Sequence, residues 1–331
     1  MKQLRTYAVL LLLLAGRAVY AQDFHLSMYE TAPLFLNPAM TGLIETKMRA
    51  HLHFRNQWNA LAYKPFTTAL VSFDVPKGKW GFGGQIINMR AGLANYNVLQ
   101  LLGSASYSSY IDKNKKHSFS LGLQAGLTQK RVEYPLLTFD SQYTTANGGG
   151  FDNSLNSNER IEKGTQFQEA LNFGALYNYG QHQNRFNPFF GFSVFNLTKP
   201  KESFFGSDNR LPMRLYFHPG VRVNVSELLY FIPKVLIYAQ AKTVQETYAI
   251  DAGYYFKGEK FYALAGLMYR TADATVMQLG IKKDNLMVKF AYDFNVSTLK
   301  GISKTRGAYE ISLTWYGKKD KTNEIKHCPR L

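Results

Sequence analysis

The sequence predicts an all-β fold, a transmembrane antiparallel β-barrel of about fourteen strands, and three observations support this prediction. Apolar and polar residues alternate in many stretches, most clearly in residues 286–295, LMVKFAYDFN. Because successive side chains of a strand point to opposite faces, this stretch has one apolar face and one face with Lys289 and Asp293. The alternating runs are long, and the connections between them fall into two classes. No stretch of comparable length shows helical periodicity.

The N-terminus has the features of an export signal. Lys2 and Arg5 precede an apolar run at residues 7–16, and small residues up to Ala21 are typical of a cleavage site. We therefore expect residues 1–21 to be a signal peptide. The alternative is a membrane anchor helix, but the run is shorter than the roughly 20 residues that span a bilayer.

The composition indicates a folded and strongly basic protein. Of 331 residues, 46% are hydrophobic, 15% are aromatic and 19% are charged, which argues against global disorder. The formal net charge is +16, or +13 without the signal peptide, and this suggests an acidic partner surface. Because export disfavours nucleic acid, we predict no nucleic-acid partner and expect outer-membrane lipid instead. A single cysteine, Cys328, excludes an internal disulfide framework.

Turn signals separate the alternating runs into fourteen candidate strands. Most are near the roughly 9–11 residues of a tilted membrane strand, whereas strands of soluble proteins are commonly about 5–6 residues long. The candidate strands lie at about 47–57, 67–75, 79–90, 94–110, 116–131, 168–180, 187–197, 212–224, 232–242, 247–257, 260–270, 274–283, 286–295 and 307–317.

The connections differ between the two sides of the predicted sheet: one side has mostly tight connections, and the other has the longest ones together with shorter ones near 58–66, 91–93, 243–246 and 271–273. Outer-membrane barrels have short periplasmic turns and longer external loops, so a division of this kind favours a barrel at residues 47–317. The short connections are 76–79, 111–116, 181–185, 225–231, 257–260 and 283–285, and the longest of the others are 132–167, 198–211 and 296–306.

The faces of the predicted strands have different expected surroundings. The apolar face is expected to contact lipid, and the polar face to line a hydrated lumen, because closure of the sheet pairs every backbone group. The basic residues of the first strand should then line the lumen: Lys47, Arg49, His51, His53 and Arg55. Aromatic residues at strand ends are expected to form interface girdles. They are Trp58, Tyr63, Phe66, Trp80, Tyr107, Tyr110, Tyr177, Tyr179, Phe189, Phe190, Tyr254, Tyr255, Tyr269, Trp315 and Tyr316.

Three segments fall outside the predicted strands. Residues 22–46 precede the first strand and are expected to form a short N-terminal segment that is periplasmic or folds inward as a plug. The connection 132–167 is rich in Gly, Asn and Ser, so we expect a flexible or partner-ordered surface loop. The basic residues 318–331 are expected to form a periplasmic C-terminal tail.

No catalytic, cofactor or metal site is predicted. The glycine-rich stretch 81–85, GFGGQ, lies within a strand, whereas a phosphate-binding loop needs a following helix, so these glycines are expected to relieve crowding. His51 and His53 share a strand face, but no cysteine or carboxylate near them in sequence completes a metal site. The sequence lacks a G-x-S-x-G motif, and we expect a non-enzymatic protein.

Three stretches form a recognisable set of motifs: QDFHLSMYETAPLFLNPAMTG at 22–42, RNQW at 55–58 and CPRL at 328–331. Together they resemble the PorP/SprF family of outer-membrane proteins of the Bacteroidetes type IX secretion system. Two positions depart from the family pattern, since Phe24 stands where proline is common and Leu331 stands where phenylalanine is usual. The residues that carry the resemblance are Asn37, Pro38, Ala39, Gly42, Arg55, Asn56, Gln57, Trp58, Cys328, Pro329 and Arg330.

The resemblance implies a non-enzymatic barrel of the secretion and gliding machinery that supports export or surface attachment of cargo. Implied partners are periplasmic components of the type IX secretion system and secreted cargo, or the C-terminal domains of adhesins. The alternative within the same fold is an outer-membrane porin or a transporter of small hydrophobic solutes. A soluble secreted β-protein is a further alternative, in which the apolar faces would pack against a second sheet.

Overall fold

The computed structural model describes residues 25–58, 64–92, 94–159, 164–179, 184–204, 208–298 and 300–318. The expected signal peptide, Tyr63 and the C-terminal CPRL motif lie outside these residues, as does nearly all of the expected tail.

Fourteen strands form one closed antiparallel barrel, in which the first strand pairs with the last. A small hairpin, β6 (Tyr143–Thr144) and β7 (Gly150–Phe151), stands apart from the barrel. The barrel strands are β1 (Arg49–Gln57), β2 (Phe66–Lys77), β3 (Trp80–Ala91), β4 (Tyr96–Tyr110), β5 (His117–Arg131), β8 (Thr165–Tyr179), β9 (Phe186–Phe195), β10 (Arg214–Asn224), β11 (Leu229–Gln240), β12 (Thr243–Phe256), β13 (Phe261–Arg270), β14 (Ala274–Lys283), β15 (Leu286–Asn295) and β16 (Arg306–Tyr316).

The predicted fold is confirmed, and each candidate strand corresponds to one barrel strand. The largest differences are at strand starts, where β12 begins at Thr243 and β11 at Leu229. These ends differ because hydrophobic periodicity is confined to the apolar band, whereas the hydrogen-bonded ladder of β12 continues into the polar residues Gln245 and Glu246.

The barrel closes along the seam between β1 and β16. Its register runs from Arg49 opposite Tyr316 to Gln57 opposite Ala308, without a shift. Closure leaves no unpaired strand edge along this seam, so the main-chain polar groups of both strands are paired.

The connections also divide as predicted. One side of the barrel, here called the short-turn side, carries tight links such as residues 78–79 and 284–285. The opposite, long-loop side carries the connections from β5 to β8, from β9 to β10 and from β15 to β16. The first of these contains the hairpin β6–β7 and several short 3-10 turns. Among the described residues, no helix is long and apolar enough to cross a membrane.

The two faces of the strands have the predicted orientation. In β15, Leu286, Val288 and Phe290 are exposed on the outer surface, whereas Lys289 and Asp293 are buried on the inner one. In β1, the inward residues are Arg49, His51, His53 and Arg55, all buried. The prediction for Lys47 is wrong: it is exposed, because the strand begins only at Arg49.

The prediction of aromatic girdles is right for some residues and wrong for others. Trp80 is exposed on the outer surface and meets Tyr107 edge to face, with ring centroids 5.1 Å apart. Phe189 and Tyr316, by contrast, are buried on the inner face. Nearness to a strand end does not decide whether a side chain faces outward or inward. The alternation along the strand decides it, and Phe190, next to Phe189, is the exposed residue.

A charge on the lipid-facing surface should destabilise the barrel. Leu279, near the middle of β14, is 64% exposed, and we expect Leu279→Arg to cost about 2–4 kcal/mol if it lies near the bilayer midplane. The measurement is the free energy of reversible unfolding in lipid vesicles. Ile302→Arg is the control, because Ile302 is also highly exposed, at 72%, but lies in the connection after β15. Equal losses for both variants would contradict a lipid-facing position for Leu279.

Candidate functional site: the luminal plug and the vestibule

Residues 25–44, here called the luminal plug, lie inside the barrel. Nearly all of them are buried, and Met28, Leu34 and Asn37 are fully enclosed. The plug includes a 3-10 turn at Tyr29–Thr31, one α-helical turn at Pro33–Leu36 and a second 3-10 turn at Pro38–Met40. Its hydrogen bonds and ion pairs reach at least twelve of the fourteen barrel strands. The plug therefore occupies the space that a pore would need.

Asn37 fixes the turn between the two helical segments of the plug. Its Oδ1 accepts a hydrogen bond from the Ala39 backbone N–H at 2.9 Å, which caps the turn that begins at Pro38. The side-chain amide also donates to the Ala175 carbonyl at 3.0 Å and to Nε2 of His218 at 3.0 Å. One side chain thus shapes the plug and attaches it to β8 and β10.

Two glycines form a notch that receives this turn. Gly122 of β5 and Gly174 of β8 lie opposite each other in the sheet. A Cβ on Gly122 would lie 2.3 Å from the Pro38 carbonyl carbon, and a Cβ on Gly174 would lie 2.0 Å from Oδ1 of Asn37. The wall accepts the plug here only because both positions lack a side chain.

Filling the notch should displace the plug. We expect Gly122→Val to destabilise the native state by about 1–3 kcal/mol, because the nearest atoms are backbone and cannot move independently. The readout is the thermal unfolding midpoint together with protease cleavage of residues 25–44. Gly103→Val is the matched control, because a Cβ at Gly103 meets nothing closer than 3.9 Å. Unchanged cleavage of the Gly122 variant would show that the notch does not hold the plug.

The end of the plug near the short-turn side is held by a buried ion pair. The Asp74 carboxylate accepts hydrogen bonds from Nε of Arg49 at 2.9 Å and from Nη2 of Arg49 at 2.7 Å. The same carboxylate accepts the Gly42 backbone N–H at 2.6 Å. Gly42 has φ +66°, and a Cβ there would lie 2.5 Å from the Cα of Gly81. This close approach explains why the plug requires glycine at position 42, and Gly81 relieves crowding as predicted.

The start of the plug is held by a second charged cluster. Glu310 accepts the backbone N–H groups of Ser27 at 2.6 Å and Met28 at 2.8 Å, and it pairs with Arg55. Arg55 also donates to Ser27 Oγ at 2.9 Å and to Asp293 at 3.1 Å. Arg55, Asp293 and Glu310 are almost fully buried, so their charges are compensated by each other and by the plug rather than by water.

Glu30 connects the middle of the plug to the opposite wall. Its carboxylate lies 2.9 Å from Nζ of Lys234 and 3.4 Å from Nζ of Lys289, and Lys234 also pairs with Asp251. Burial alone would raise the pKa of Glu30, but the two lysines outweigh that effect and lower it. The carboxylate is therefore ionised and remains an ionic link between the plug and β11 and β15.

A cavity of about 1020 Å³, here called the vestibule, lies between the plug and the long-loop side. His25 and Arg55 line its plug side, and Trp58 lies where β1 ends. Arg214 also lines it and lies over the rings of Phe195 and Tyr216, 4.7 and 5.5 Å from their centroids. The vestibule is a dead end toward the short-turn side, because the plug fills the space behind it.

The residues that carried the family resemblance lie in different parts of the structure. Asn37, Pro38, Ala39 and Gly42 form the plug, and Arg55 holds its first residues. Gln57 and Trp58 line the vestibule, whereas Asn56 belongs to the outward set of β1. Cys328, Pro329 and Arg330 lie outside the described residues.

Sequence reasoning did not find the wall residues that bind the plug. Asp74, Glu310, Asp293 and Arg270 are charged residues on the inner face of membrane-length strands, and such residues commonly mark functional positions. That signal was present in the sequence, and a plug was one of the two expectations for residues 22–46, but the sequence did not indicate which wall residues would bind it. His51 and His53 bond to Thr314 and Glu310, and within the described residues no group of His, Cys, Asp and Glu is suited to a metal ion.

A closed fourteen-stranded barrel with an apolar exterior and a charged, plug-filled interior defines an outer-membrane protein. Residues 18–315 match the profile of the type IX secretion system membrane protein PorP/SprF. The chain therefore belongs to the PorP/SprF family, and family membership implies interaction with the secretion machinery. No curated protein sequence matches the chain.

Several solved barrels are similar in fold. A TodX ΔS2S3 mutant, titled a monoaromatic hydrocarbon channel, is 11% identical with TM-score 0.50, covering 87% of this chain and 94% of its own. The Pseudomonas putida toluene transporter TodX is 10% identical with TM-score 0.49, covering 88% and 93%. A Pseudomonas aeruginosa FadL homologue is 14% identical with TM-score 0.46, covering 91% and 96%. At 11% identity, the similarity to the TodX mutant shows the barrel fold alone.

Proposed function

We propose that the protein is a plugged, non-enzymatic scaffold that supports export or surface attachment of cargo proteins such as adhesins. The observation that carries this proposal is the luminal plug, which is anchored at both ends and in the middle by buried charged groups. A polypeptide has no free path through such a barrel. Cargo and machinery therefore meet the outer surfaces of the protein, on its loops and turns.

The long loop between β5 and β8 offers a surface for cargo. Gln142 organises it, because its side chain bonds to the Phe139 N–H at 3.1 Å and to the Leu155 carbonyl at 3.0 Å. The hairpin presents Tyr143 and Phe151, whose rings meet edge to face at 5.4 Å and are more than half exposed. An ordered pair of exposed aromatic rings is typical of a protein-binding surface.

The test is cargo display on cells that produce Tyr143→Ser/Phe151→Ser in place of the wild-type protein. We expect surface cargo to fall while the barrel still reaches the outer membrane, which heat-modifiable gel mobility reports. Asn153→Ser, a polar change at an exposed position of the same loop, is the control. Normal cargo display by the double variant would remove this loop from the proposed function.

The short-turn side carries a basic surface suited to an acidic periplasmic partner or anionic lipid. The exposed lysines there are Lys77, Lys79, Lys113, Lys115, Lys116, Lys257, Lys260 and Lys283. Deletion of 318–331 tests whether the tail extends this surface, with co-purification of secretion components as the measurement. Equal recovery with and without these residues would exclude the tail from partner binding.

A porin or a transporter of small hydrophobic solutes is the second candidate function. The vestibule favours it, because a cavity of this size at the barrel mouth is able to admit a solute. Planar-bilayer recording distinguishes the two functions: large steady currents from the wild-type protein would support transport, and silence would support the scaffold.

A further inference from the structure

We propose that the vestibule binds a neutral oligosaccharide. This inference does not depend on the role of the protein in export. The volume of about 1020 Å³ lies at the upper end of the range for ligand cavities, about 300–1,000 Å³, and leaves room for several sugar rings. The chemistry of the lining, one unpartnered buried acceptor and an aromatic pair point to this class of ligand.

Carboxamide side chains form a large part of the polar lining, beside a similar number of charged side chains. They are Gln57, Gln100, Gln168, Asn196, Asn209, Gln240 and Gln245. A carboxamide both donates and accepts hydrogen bonds and carries no charge. Sugar hydroxyl groups have the same dual capacity, so a wall of carboxamides matches a polyhydroxylated ligand better than an anion or a cation.

Several charged groups of the vestibule have protein partners of opposite charge. Lys130 pairs with Glu202, and Asp273 accepts from Arg270 at 2.8 Å. Arg55 is held by the two buried carboxylates that anchor the plug. The lining as a whole has four lysine and arginine side chains and three carboxylates, so its net charge is small.

Gln168 supplies a buried acceptor that the protein does not use. Its residue is only 3% exposed, and its Nε2 donates to the Lys201 carbonyl at 2.9 Å. Its Oε1 is buried and has no hydrogen-bond partner among the described residues, and the residue Gln168 lines the vestibule. Leaving a buried acceptor unpaired is unfavourable, and a ligand hydroxyl at this position would satisfy it.

Trp58 and Phe66 provide an aromatic surface beside the carboxamides. Their ring centroids lie 4.9 Å apart with the planes tilted by 53°. Trp58 has φ +61°, an uncommon conformation for a residue with a side chain, and such conformations concentrate at binding sites. The apolar face of a pyranose ring packs well on such a surface, while its hydroxyl groups reach the polar wall.

The closed barrel disfavours an extended peptide as the occupant. Peptides commonly bind by adding a strand to an exposed sheet edge, but every barrel strand is paired on both sides. A peptide is therefore one of the outcomes that the experiment must distinguish.

The experiment is isothermal titration calorimetry of the purified full chain in a detergent without a sugar headgroup. The probes are maltohexaose, cellohexaose, xylohexaose and mannohexaose, together with an unstructured Ser/Asn-rich peptide. We expect at least one hexasaccharide to bind the wild-type protein and the peptide not to bind. Gln168→Leu and Trp58→Ala should each weaken sugar binding by about tenfold.

Gln129→Leu is the matched control, because Gln129 is on β5 next to Thr128, which pairs with Gln168, but belongs to the outward set. Its affinity should equal that of the wild type, and heat-modifiable mobility verifies that every variant is folded. The proposal is overturned by failure of all four sugars to bind at millimolar concentration. It is also overturned if both vestibule variants keep wild-type affinity, or if the peptide binds in place of the sugars.

Discussion

Arg55→Leu is expected to release the start of the plug and to destabilise the barrel by about 3–5 kcal/mol, the cost typical of removing one partner of a buried ion pair. The substitution leaves Glu310 and Asp293 buried without their shared cation. It also removes the hydrogen bond to Ser27 Oγ. The measurements are the thermal unfolding midpoint and the rate of protease cleavage within residues 25–44.

Arg131→Leu is the control for this experiment. Arg131 is on β5, its side chain is 60% exposed, and it lies 3.7 Å from Glu133, an exposed ion pair expected to contribute at most about 1 kcal/mol. We expect its unfolding midpoint to stay close to that of the wild type. If Arg55→Leu behaved like this surface variant, the charged cluster would not be what anchors the plug.

Replacement of residues 25–44 by a short Gly/Ser linker is expected to turn a silent barrel into an open channel. The inner wall that the plug leaves behind carries Arg49, Lys234, Asp74 and Glu310, which water and ions would then solvate. Planar-bilayer recording should show stable current steps from this variant and none from the wild-type protein.

Deletion of residues 137–156 removes the same length of chain from the long loop and keeps the plug in place. This variant should stay silent, which separates the effect of the plug from that of a shortened protein. Current steps from the wild-type protein, equal to those of the plug variant, would contradict a sealed lumen and favour the transporter.

The orientation of strands followed from sequence because period-two patterning is imposed by lipid on one face and by water or plug on the other. Residues 118–129 illustrate this: Phe119, Leu121 and Leu123 face outward and Ser120 and Gln124 inward, as the alternation predicted. The assignment of connections to the short-turn side or the long-loop side followed from the same strand count. Both predictions rest on local rules that each strand obeys independently.

The candidate site was less accessible from sequence because it consists of contacts between residues far apart in the chain. Asn37 could be recognised as part of a motif, but its partners in β8 and β10 depend on the barrel register. Gly122 and Gly174 read as ordinary strand glycines until the plug is placed against them. The prediction for Phe189 failed for another reason: both Phe189 and Phe190 were assigned to a girdle because they lie near a strand end, but adjacent residues of a strand lie on opposite faces.

The bond between the plug and β16 has a consequence for biogenesis. Ser27 and Glu310 are separated by 283 positions, so the start of the plug cannot form this bond until β16, the last strand, is in place. The wall around the plug is incomplete until β16 pairs with β1. Barrel closure and attachment of the start of the plug are therefore expected to occur together, late in folding. A chain that lacks β16 would complete neither step.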